Sequence, residues 1–201
     1  MTAERTGILL LVSGPSGSGK TTLCRRLADE DEAIYSTSCT TRPSRDGERD
    51  GHDYHFLTRE TFEQKVSDGE FLEYAEVHGN LYGTLKKEVL DHLTQGIDVV
   101  MDIDVQGADQ VRSCQDTNIK ESLVDVFVMP HTKEELLARL TGRGSDSQEV
   151  IELRMENALG EITHCAKYTY RLLSDTREQD YRQFKSLLVA ERLKTSRLNK
   201  L

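Results

Sequence analysis

Short apolar runs alternate along the chain with segments whose apolar residues recur at helical spacing. The first run, residues 8–12, breaks at Gly14 and is followed by Leu23 and Leu27, which share one face of a predicted helix. Further strand-like runs cover residues 97–103, 124–129 and 168–173. Strands that alternate with helices favour a parallel sheet with helices on both faces. The pattern therefore predicts an α/β fold.

The stretch 34–92 departs from this pattern. It is rich in Thr, Arg, Gly, Asp and Tyr, and its alternating segments are short. We interpret it as an inserted, mixed α/β lobe that binds a substrate, while residues 1–33 and 93–201 form the sheet-and-helix core.

Two predicted helices lie between residues 132 and 158. Thr132 with Glu135 forms a capping box, and Asp146 with Glu149 forms a second one. Glycines separate the two helices, as they would at a hinge; they are Gly142 and Gly144.

The C-terminal segment also has helical spacing. Its apolar positions predict a helix that packs on the core, and they are Tyr181, Phe184, Leu187, Leu188 and Leu193.

Length and charge narrow the class of protein. The chain has 201 residues and a formal net charge of −9. That length suits one domain, or one core with small inserted lobes. The negative charge argues against a nucleic-acid-binding or membrane-binding protein, which needs a broad positive surface. An anionic ligand must therefore be held by local charge.

The N-terminal residues and the cysteines indicate a soluble cytoplasmic protein. Residues 1–7 carry charges and no apolar signal region, and no apolar run is long enough to span a membrane. The cysteines are far apart and form no C-x-x-C pair, which argues against a zinc site or a disulfide framework. They are predicted to be reduced thiols: Cys24, Cys39, Cys114 and Cys165.

A complete phosphate-loop motif stands between the first strand and the first helix. Residues 14–21 read GPSGSGKT and match G-x-x-x-x-G-K-[ST] at every fixed position. Lys20 is expected to reach the β- and γ-phosphates, and the Thr21 hydroxyl to bind Mg²⁺. The alternative is an ordinary Gly/Ser turn. The predicted ATP-binding set is Gly14, Pro15, Ser16, Gly17, Ser18, Gly19, Lys20, Thr21 and Thr22.

Residues 38–56 carry a second candidate anion site. Arg42 and Arg45 are three residues apart, and Tyr54 follows nine later. In an extended segment Ser38 lies on the same face as Arg42. Arginine forks bind a phosphate dianion through paired, charge-assisted hydrogen bonds. The alternative for Arg45 and Tyr54, taken singly, is a solvated loop.

Three stretches resemble the guanylate kinases in sequence and in order: residues 38–56, residues 71–84 and residues 102–107 (DIDVQG). The resemblance covers nearly the whole chain. It implies a nucleoside-monophosphate-kinase fold with a parallel core sheet, a GMP-binding lobe and a helical lid at about residues 132–158. The implied substrates are ATP with Mg²⁺ and GMP, with dGMP as a further acceptor.

The resemblance also implies roles for single residues. Four would hold the GMP phosphate: Arg42, Arg45, Tyr54 and Tyr82. Three would bind guanine: Ser38, Glu73 and Thr84. Asp104 would lie near the base.

The chemistry of guanine independently supports Glu73. Guanine presents two adjacent donors, N1–H and the 2-amino group, which one carboxylate can accept together. Adenine has an acceptor at N1 and no 2-amino group, so it would leave a buried carboxylate underpaired. The alternatives are a surface glutamate at Glu73 and a turn residue at Thr84.

Charged residues beyond the loop complete the predicted catalytic set. Asp102 ends an apolar run and is expected to orient Mg²⁺-bound water or Lys20, unless it only caps a helix or turn. The arginines are expected to stabilise the charge of the transferring phosphoryl group, or else to form surface ion pairs. The predicted catalytic residues are Lys20, Arg42, Asp102, Arg139, Arg143 and Arg154.

Two departures from the family pattern leave points open. Pro43 and Ser44 separate the two arginines, and Ser174-Asp175 replaces the Asn-Asp that often follows the last core strand, which makes adenine-side contacts doubtful. Two other functions remain open: a guanylate-kinase-like protein-binding module without activity, or a kinase of another small phosphorylated substrate. Monomer and homodimer are both compatible with the sequence.

Overall fold

The structure, a computed structural model, describes residues 5–141 and 148–198. The strands are β1 (Leu9–Ser13), β2 (Ile34–Tyr35), β3 (Cys39–Thr40), β4 (His55–Phe56), β5 (Phe71–Val77), β6 (Asn80–Leu85), β7 (Val99–Asp102), β8 (Leu123–Pro130) and β9 (Tyr170–Ser174). The helices are α1 (Lys20–Asp29), α2 (Arg59–Ser67), α3 (Lys86–Thr94), α4 (Val105–Ser113), α5 (Thr117–Ser122), α6 (Lys133–Thr141), α7 (Gln148–Ile162) and α8 (Arg177–Arg192). Two 3-10 helices cover Thr163–Lys167 and Thr195–Arg197.

The first sheet is parallel, as predicted. Its strand order is β2-β7-β1-β8-β9, and every neighbouring pair runs in the same direction. Its central strand β1 is buried along its whole length, which explains the unbroken apolar run. Because the strands are parallel, their carboxyl ends lie along one edge of the sheet.

Helices cover both faces of this sheet. Leu10 and Val12 of β1 pack with residues of α1 and α8 on one face, and Leu9 and Leu11 pack with residues of α3, α4 and α5 on the other. Side chains alternate along a strand, so one apolar run supplies both halves of the core. The α/β fold with helices on both faces is confirmed.

The second sheet is mixed, with strand order β4-β3-β6-β5. Strands β3 and β4 are parallel, while β3/β6 and β5/β6 are antiparallel. It has a small apolar cluster of its own, in which the rings of Phe62 and Phe71 stack with centroids 4.3 Å apart. Cys39 is fully buried in this cluster.

Strand β5 joins the two sheets. Its pairing with β6 shifts by one residue between Phe71 and Glu73, which is a β-bulge. Phe71 then packs in the small cluster, and the next residue, Leu72, packs in the core of the parallel sheet. The Gln110 side chain of α4 accepts from Tyr74 N (3.0 Å) and donates to Tyr74 O (2.8 Å), as a neighbouring strand would.

The ends of the stretch 34–92 belong to the parallel sheet and its helices. Ile34 and Tyr35 form β2, which pairs with β7. At the other end, Val89 and Leu93 of α3 are buried in the core of that sheet. The mixed sheet itself uses residues 39–85. Sequence pattern does not show with which sheet a two-residue strand pairs.

Helices α6 and α7 pack on each other through Leu136, Leu140 and Ala158. The predicted cap at Thr132 is present, since its hydroxyl oxygen accepts from Glu135 N at 3.1 Å. The Glu135 carboxylate accepts from His131 N, one residue earlier than a capping box requires. The predicted cap at Asp146 and the hinge residues Gly142 and Gly144 lie outside the described residues.

The C-terminal helix α8 buries Tyr181, Phe184 and Leu188, as predicted. The expectation for Leu193 was wrong: the helix ends at Arg192, and Leu193 is 76% exposed. No helix among the described residues is long and apolar enough to cross a membrane.

Candidate active site

The phosphate loop runs from the end of β1 to the start of α1. Gly14 has φ +144°, and a Cβ built there would lie 1.9 Å from Val128 O, so the strand beside it leaves no room for a side chain. Gly19 precedes α1 with φ +94°, a conformation that L-residues rarely adopt. The glycines therefore let the loop pass close to the sheet and turn into the helix, whose first N–H groups can bind an anion.

Lys20, Thr21 and Asp102 come together at the edge of the sheet where β1 and β7 end. Lys20 Nζ donates to Gly14 O (2.7 Å) and Pro15 O (3.3 Å), and the Thr21 hydroxyl donates to the Asp102 carboxylate. Burial raises the pKa of Asp102, whereas the charge of Lys20 and the bond from Thr21 act in the opposite direction.

A cavity of about 630 Å³ opens beside this group. Phosphate-loop residues from Gly17 to Thr22 form one wall. The opposite wall comes from α6, the end of β9 and the start of α8, with Arg139, Ser174, Asp175, Arg177, Asp180 and Tyr181.

A second group surrounds Glu73, which is only 7% exposed. Burial raises the pKa of Glu73, hydrogen bonding from Thr84 lowers it, and the charge of Asp104 raises it. The Thr84 hydroxyl lies 3.4 Å from the Ser38 hydroxyl. The structure thus brings together a buried carboxylate and two hydroxyls.

Asp104 lies on the other side of Glu73. It begins α4, where its Oδ1 accepts from Gln106 N (3.0 Å) and Gly107 N (2.8 Å). A Cβ built on Gly107 would lie 3.2 Å from Glu73 Oε2 and 3.5 Å from Asp104 Oδ1. Gly107 therefore allows the first turn of α4 to approach the Glu73 carboxylate, beside the Asp104 carboxylate that caps the same helix.

Arg42 lies near Tyr54 and Tyr82, but its side chain is paired within the protein. Its Nη1 and Nη2 donate to both carboxylate oxygens of Glu48, at 3.0 and 2.9 Å, and Nη1 also donates to Pro43 O at 2.7 Å. The Arg42 guanidinium lies 5.3 Å from the centre of the Tyr54 ring, and the Tyr54 and Tyr82 ring centroids are 6.1 Å apart. The Glu48 carboxylate raises the pKa of Arg42 above its usual range.

Arg45 is exposed and lies beside the same carboxylate. Its backbone N–H donates to Glu48 Oε2 at 2.8 Å. Arg42, followed by the Arg45 backbone N–H, lowers the pKa of Glu48. Glu48 therefore organises the segment that carries both arginines.

Of the predicted lid arginines, Arg139 lines the cavity beside the phosphate loop. It donates from Nη1 to Ser174 Oγ (2.8 Å) and from Nη2 to Ser174 O (3.3 Å). Arg154 is half-buried on α7. Arg143 lies outside the described residues.

Comparisons with known proteins agree with this geometry. A family model for guanylate kinases matches residues 6–191. The chain belongs to the guanylate kinase family. A guanylate kinase of Syntrophotalea carbinolica is 44% identical over 97% of this chain and 91% of its own length, and one of Zymomonas mobilis is 45% identical over 96% and 88%. The crystal structure of guanylate kinase from Anaplasma phagocytophilum covers 98% of this chain and 92% of its own, with 32% identity and a TM-score of 0.75.

Membership of the guanylate kinase family makes the chain a kinase with a phosphate-loop kinase fold. The alternatives, an inactive protein-binding module and a kinase of another small substrate, are not favoured by relatives that match over nearly the whole chain.

Sequence reasoning missed three carboxylates near these residues, and it named Ser174 without predicting its partner. Glu48 pairs with Arg42, and Asp180 bonds to Ser174. Glu161 of α7 is half-buried. Burial raises its pKa, while the charge of Lys20 lowers it and that of Asp104 raises it. Glu48 lies in the same predicted phosphate-binding segment, which was a usable signal. The sequence carried no signal for Asp180 or Glu161.

Proposed function

We propose that this protein transfers the γ-phosphoryl group of ATP to GMP, giving ADP and GDP, as a cytoplasmic enzyme of purine nucleotide metabolism. The observation that carries the choice of acceptor is the buried Glu73 carboxylate beside the Ser38 and Thr84 hydroxyls. A carboxylate that is removed from water needs donors. Guanine N1–H and its 2-amino group supply two adjacent ones, and the hydroxyls can donate to guanine O6. The same contacts suit dGMP.

The GMP phosphate would lie near Arg42, Arg45, Tyr54 and Tyr82. The bonds from Arg42 to Glu48 and Pro43 use three of the five guanidinium N–H donors, so others remain for a phosphate oxygen. Glu48 holds the guanidinium in place before the substrate arrives, and the tyrosine hydroxyls add neutral donors. Asp104 would lie at the base side, beside Glu73.

The ATP phosphates would lie in the loop from Gly14 to Thr22, with Lys20 between the β- and γ-phosphates. The Thr21 hydroxyl and the Asp102 carboxylate are oxygen donors at the mouth of this loop, a set that fits Mg²⁺. No group of three or more His, Cys, Asp or Glu side chains arranged for a metal occurs in residues 5–141 and 148–198. Bound Mg²⁺ would neutralise charge on the phosphate oxygens.

Phosphoryl transfer leaves little covalent work for the protein, so catalysis would rest on positioning and cations. Lys20 and Arg42 would hold the two phosphates in line, and Asp102 would orient Lys20 or metal-bound water. Arg139, Arg154 and Arg143, the last outside the described residues, would stabilise charge on the equatorial oxygens. The mixed sheet would act as the GMP-binding lobe, and α6 with α7 as a lid over ATP.

The test is a coupled ADP-release assay with Mg-ATP and a panel of GMP, dGMP, AMP, CMP and UMP. We expect turnover with GMP and dGMP only. Lys20→Met should fold normally and lower kcat at least about 100-fold, because one preorganised electrostatic contact is lost. Lys87→Met, at an exposed lysine of α3, is the matched control. Binding of GMP without turnover would favour the protein-binding module, and turnover with another acceptor would favour the related kinase.

A further inference from the structure

Arg139, Ser174 and Asp180 form a chain of hydrogen bonds along one wall of the nucleotide cavity. Arg139 lies in the last turn of α6, Ser174 ends β9 and Asp180 lies in the first turn of α8. The Ser174 hydroxyl donates to Asp180 Oδ2 at 2.6 Å and accepts from Arg139 Nη1 at 2.8 Å. Ser174 and Asp180 are both buried, with 3% and 7% of their surface exposed.

The chemistry of these groups fixes the direction of every bond. An ionised carboxylate only accepts and a guanidinium only donates. The single proton of the Ser174 hydroxyl is directed to Asp180, so its lone pairs face Arg139. Asp180 Oδ1 also accepts from Asp175 N at 2.7 Å, which holds the carboxylate still. A serine without Asp180 would be free to turn its proton toward the guanidinium.

The chain ends beside the phosphate loop. A Cβ built on Gly17 would lie 3.6 Å from Arg139 Cβ, so the arginine stem passes directly over the loop. Its two bonds, to Ser174 Oγ and Ser174 O, leave part of its five N–H donors for a ligand. The guanidinium is therefore held at the rim of the cavity with donors to spare.

We propose that Ser174 and Asp180 are positioning residues, which fix the Arg139 guanidinium where it meets the transferring phosphoryl group. The proposal rests on the proposed function. It gives Ser174 a role that does not involve the adenine base. Holding a cation in place before the reaction lowers the cost of arranging it during the reaction.

The experiment is a double-mutant cycle of Ser174→Ala and Arg139→Ala, with kcat and both KM values measured at saturating co-substrate. We expect Ser174→Ala to lower kcat about 10- to 100-fold, the effect of a misplaced catalytic group, with KM for GMP unchanged. In the Arg139→Ala background the same change should alter kcat less than about twofold, because the serine acts through the arginine. Ser174→Thr keeps the hydroxyl and should restore most of the activity.

Controls separate this role from stability. Ser122→Ala removes an equally buried hydroxyl at the opposite edge of the parallel sheet and should leave kcat unchanged. Asp180→Asn tests the second link: its NH₂ group would face Asp175 N–H or the serine, so kcat should fall as in Ser174→Ala. If Asp180→Asn does not fold, the Ser174 cycle still decides.

The inference would be overturned if Ser174→Ala lowered kcat equally in the wild type and in Arg139→Ala. It would also be overturned if Ser174→Ala raised KM for ATP and left kcat unchanged, because that result would assign Ser174 to nucleotide binding. Absence of GMP phosphorylation by the wild type would overturn the proposed function and the inference together. If the wild type phosphorylates GMP normally but the effects of Ser174→Ala and Arg139→Ala on kcat are additive, only the inference is overturned.

Discussion

At the scale of one residue, Glu73 carries the proposed choice of guanine. Its carboxylate is buried, and burial raises its pKa because the charged form loses hydration. The nearby charge of Asp104 acts in the same direction. The bonds from Thr84 only partly compensate. A group of this kind weakens the free protein and is expected to be relieved when a ligand supplies matching donors.

Glu73→Gln should therefore change base selectivity. The amide keeps the size of the side chain but turns an NH₂ group toward a guanine donor, so kcat/KM for GMP should fall by about 30- to 1000-fold, or roughly 2 to 4 kcal/mol. Activity toward AMP should fall far less or rise, because the amide can donate to adenine N1. The measurement is the GMP to AMP ratio of kcat/KM at saturating Mg-ATP. Glu76→Gln, at an exposed glutamate of the same strand, is the control. If Glu73→Gln kept the GMP to AMP ratio of the wild type, another residue would determine which base binds.

The same substitution should stabilise the free protein in a pH-dependent way. A raised pKa means that the native state binds the proton more tightly than the unfolded state, so Glu73 costs stability as the pH rises from its ordinary value, 4.5, through its raised value. The free energy of unfolding of Glu73→Gln should exceed that of the wild type near pH 7, and the difference should shrink toward pH 4. Urea titrations between pH 4 and pH 8 measure it. A constant difference across this range would contradict the assigned cause.

Side chains differ in how far sequence alone predicted them. Lys20, Thr21 and Asp102 were predictable because a local motif and one strand end place them. The guanine-binding set needed the family resemblance. The partner of Arg42 was not predictable, because the chain has 35 carboxylates and only the fold selects Glu48.

At the scale of elements, the end of α8 is attached to the core by a partly buried ionic network around the buried Asp98. Arg192 donates to Asp98 Oδ2 (2.7 Å), Glu32 Oε2 (2.7 Å) and Glu32 O (2.6 Å). Arg5 donates to both carboxylate oxygens of Asp98, to Oδ1 at 2.7 Å and to Oδ2 at 2.9 Å. The network joins the N-terminal segment, the loop after α1, the start of β7 and the C-terminal helix.

Arg192→Met should destabilise the protein by about 2 to 3 kcal/mol, because Asp98 and Glu32 stay in place while a partner of both is lost. Methionine keeps the apolar stem, so the loss reports the guanidinium. The free energy of unfolding from urea titration checks this. Arg182→Met, on the same helix but largely exposed and paired with the exposed Glu178, should change stability little. Equal effects of the two substitutions would mean that the network adds nothing beyond a surface ion pair.

Periodicity predicted the elements better than their limits. The strands β1, β7, β8 and β9 fall within one or two residues of the apolar runs, because burial on both faces demands such runs. Leu193 continues the helical spacing, but the chain leaves the helix at Arg192. The pairing of β2 with β7 and the contacts of Arg192 join residues far apart in sequence, which no local pattern records.

At the scale of the whole molecule, apolar clusters define units that meet at the candidate active site. The parallel sheet has one cluster on each face, the mixed sheet has its own, and α6 with α7 forms a fourth around Leu136 and Leu140. Strand β5 ties the mixed sheet to the core through Leu72 and Gln110. The α6–α7 unit touches the phosphate loop through Arg139 and Leu140, beside Gly17.

This arrangement predicts that α6 and α7 close over ATP only when both substrates are present. Their cluster contacts the main core through Ile162, at the end of α7. Leu137, Val150 and Leu153 on these helices are exposed, so most of the unit can shift about that contact without breaking core packing. Closure would exclude water and limit wasteful hydrolysis of ATP. Hydrogen exchange should therefore slow more in Lys133–Thr141 and Gln148–Ile162 with a non-hydrolysable ATP analogue plus GMP than with either alone. Helix α3, whose Val89 and Leu93 are buried in the core of the parallel sheet, should exchange alike in all states. Equal protection of α6 and α7 by either ligand alone and by both would show that they do not form a closing lid.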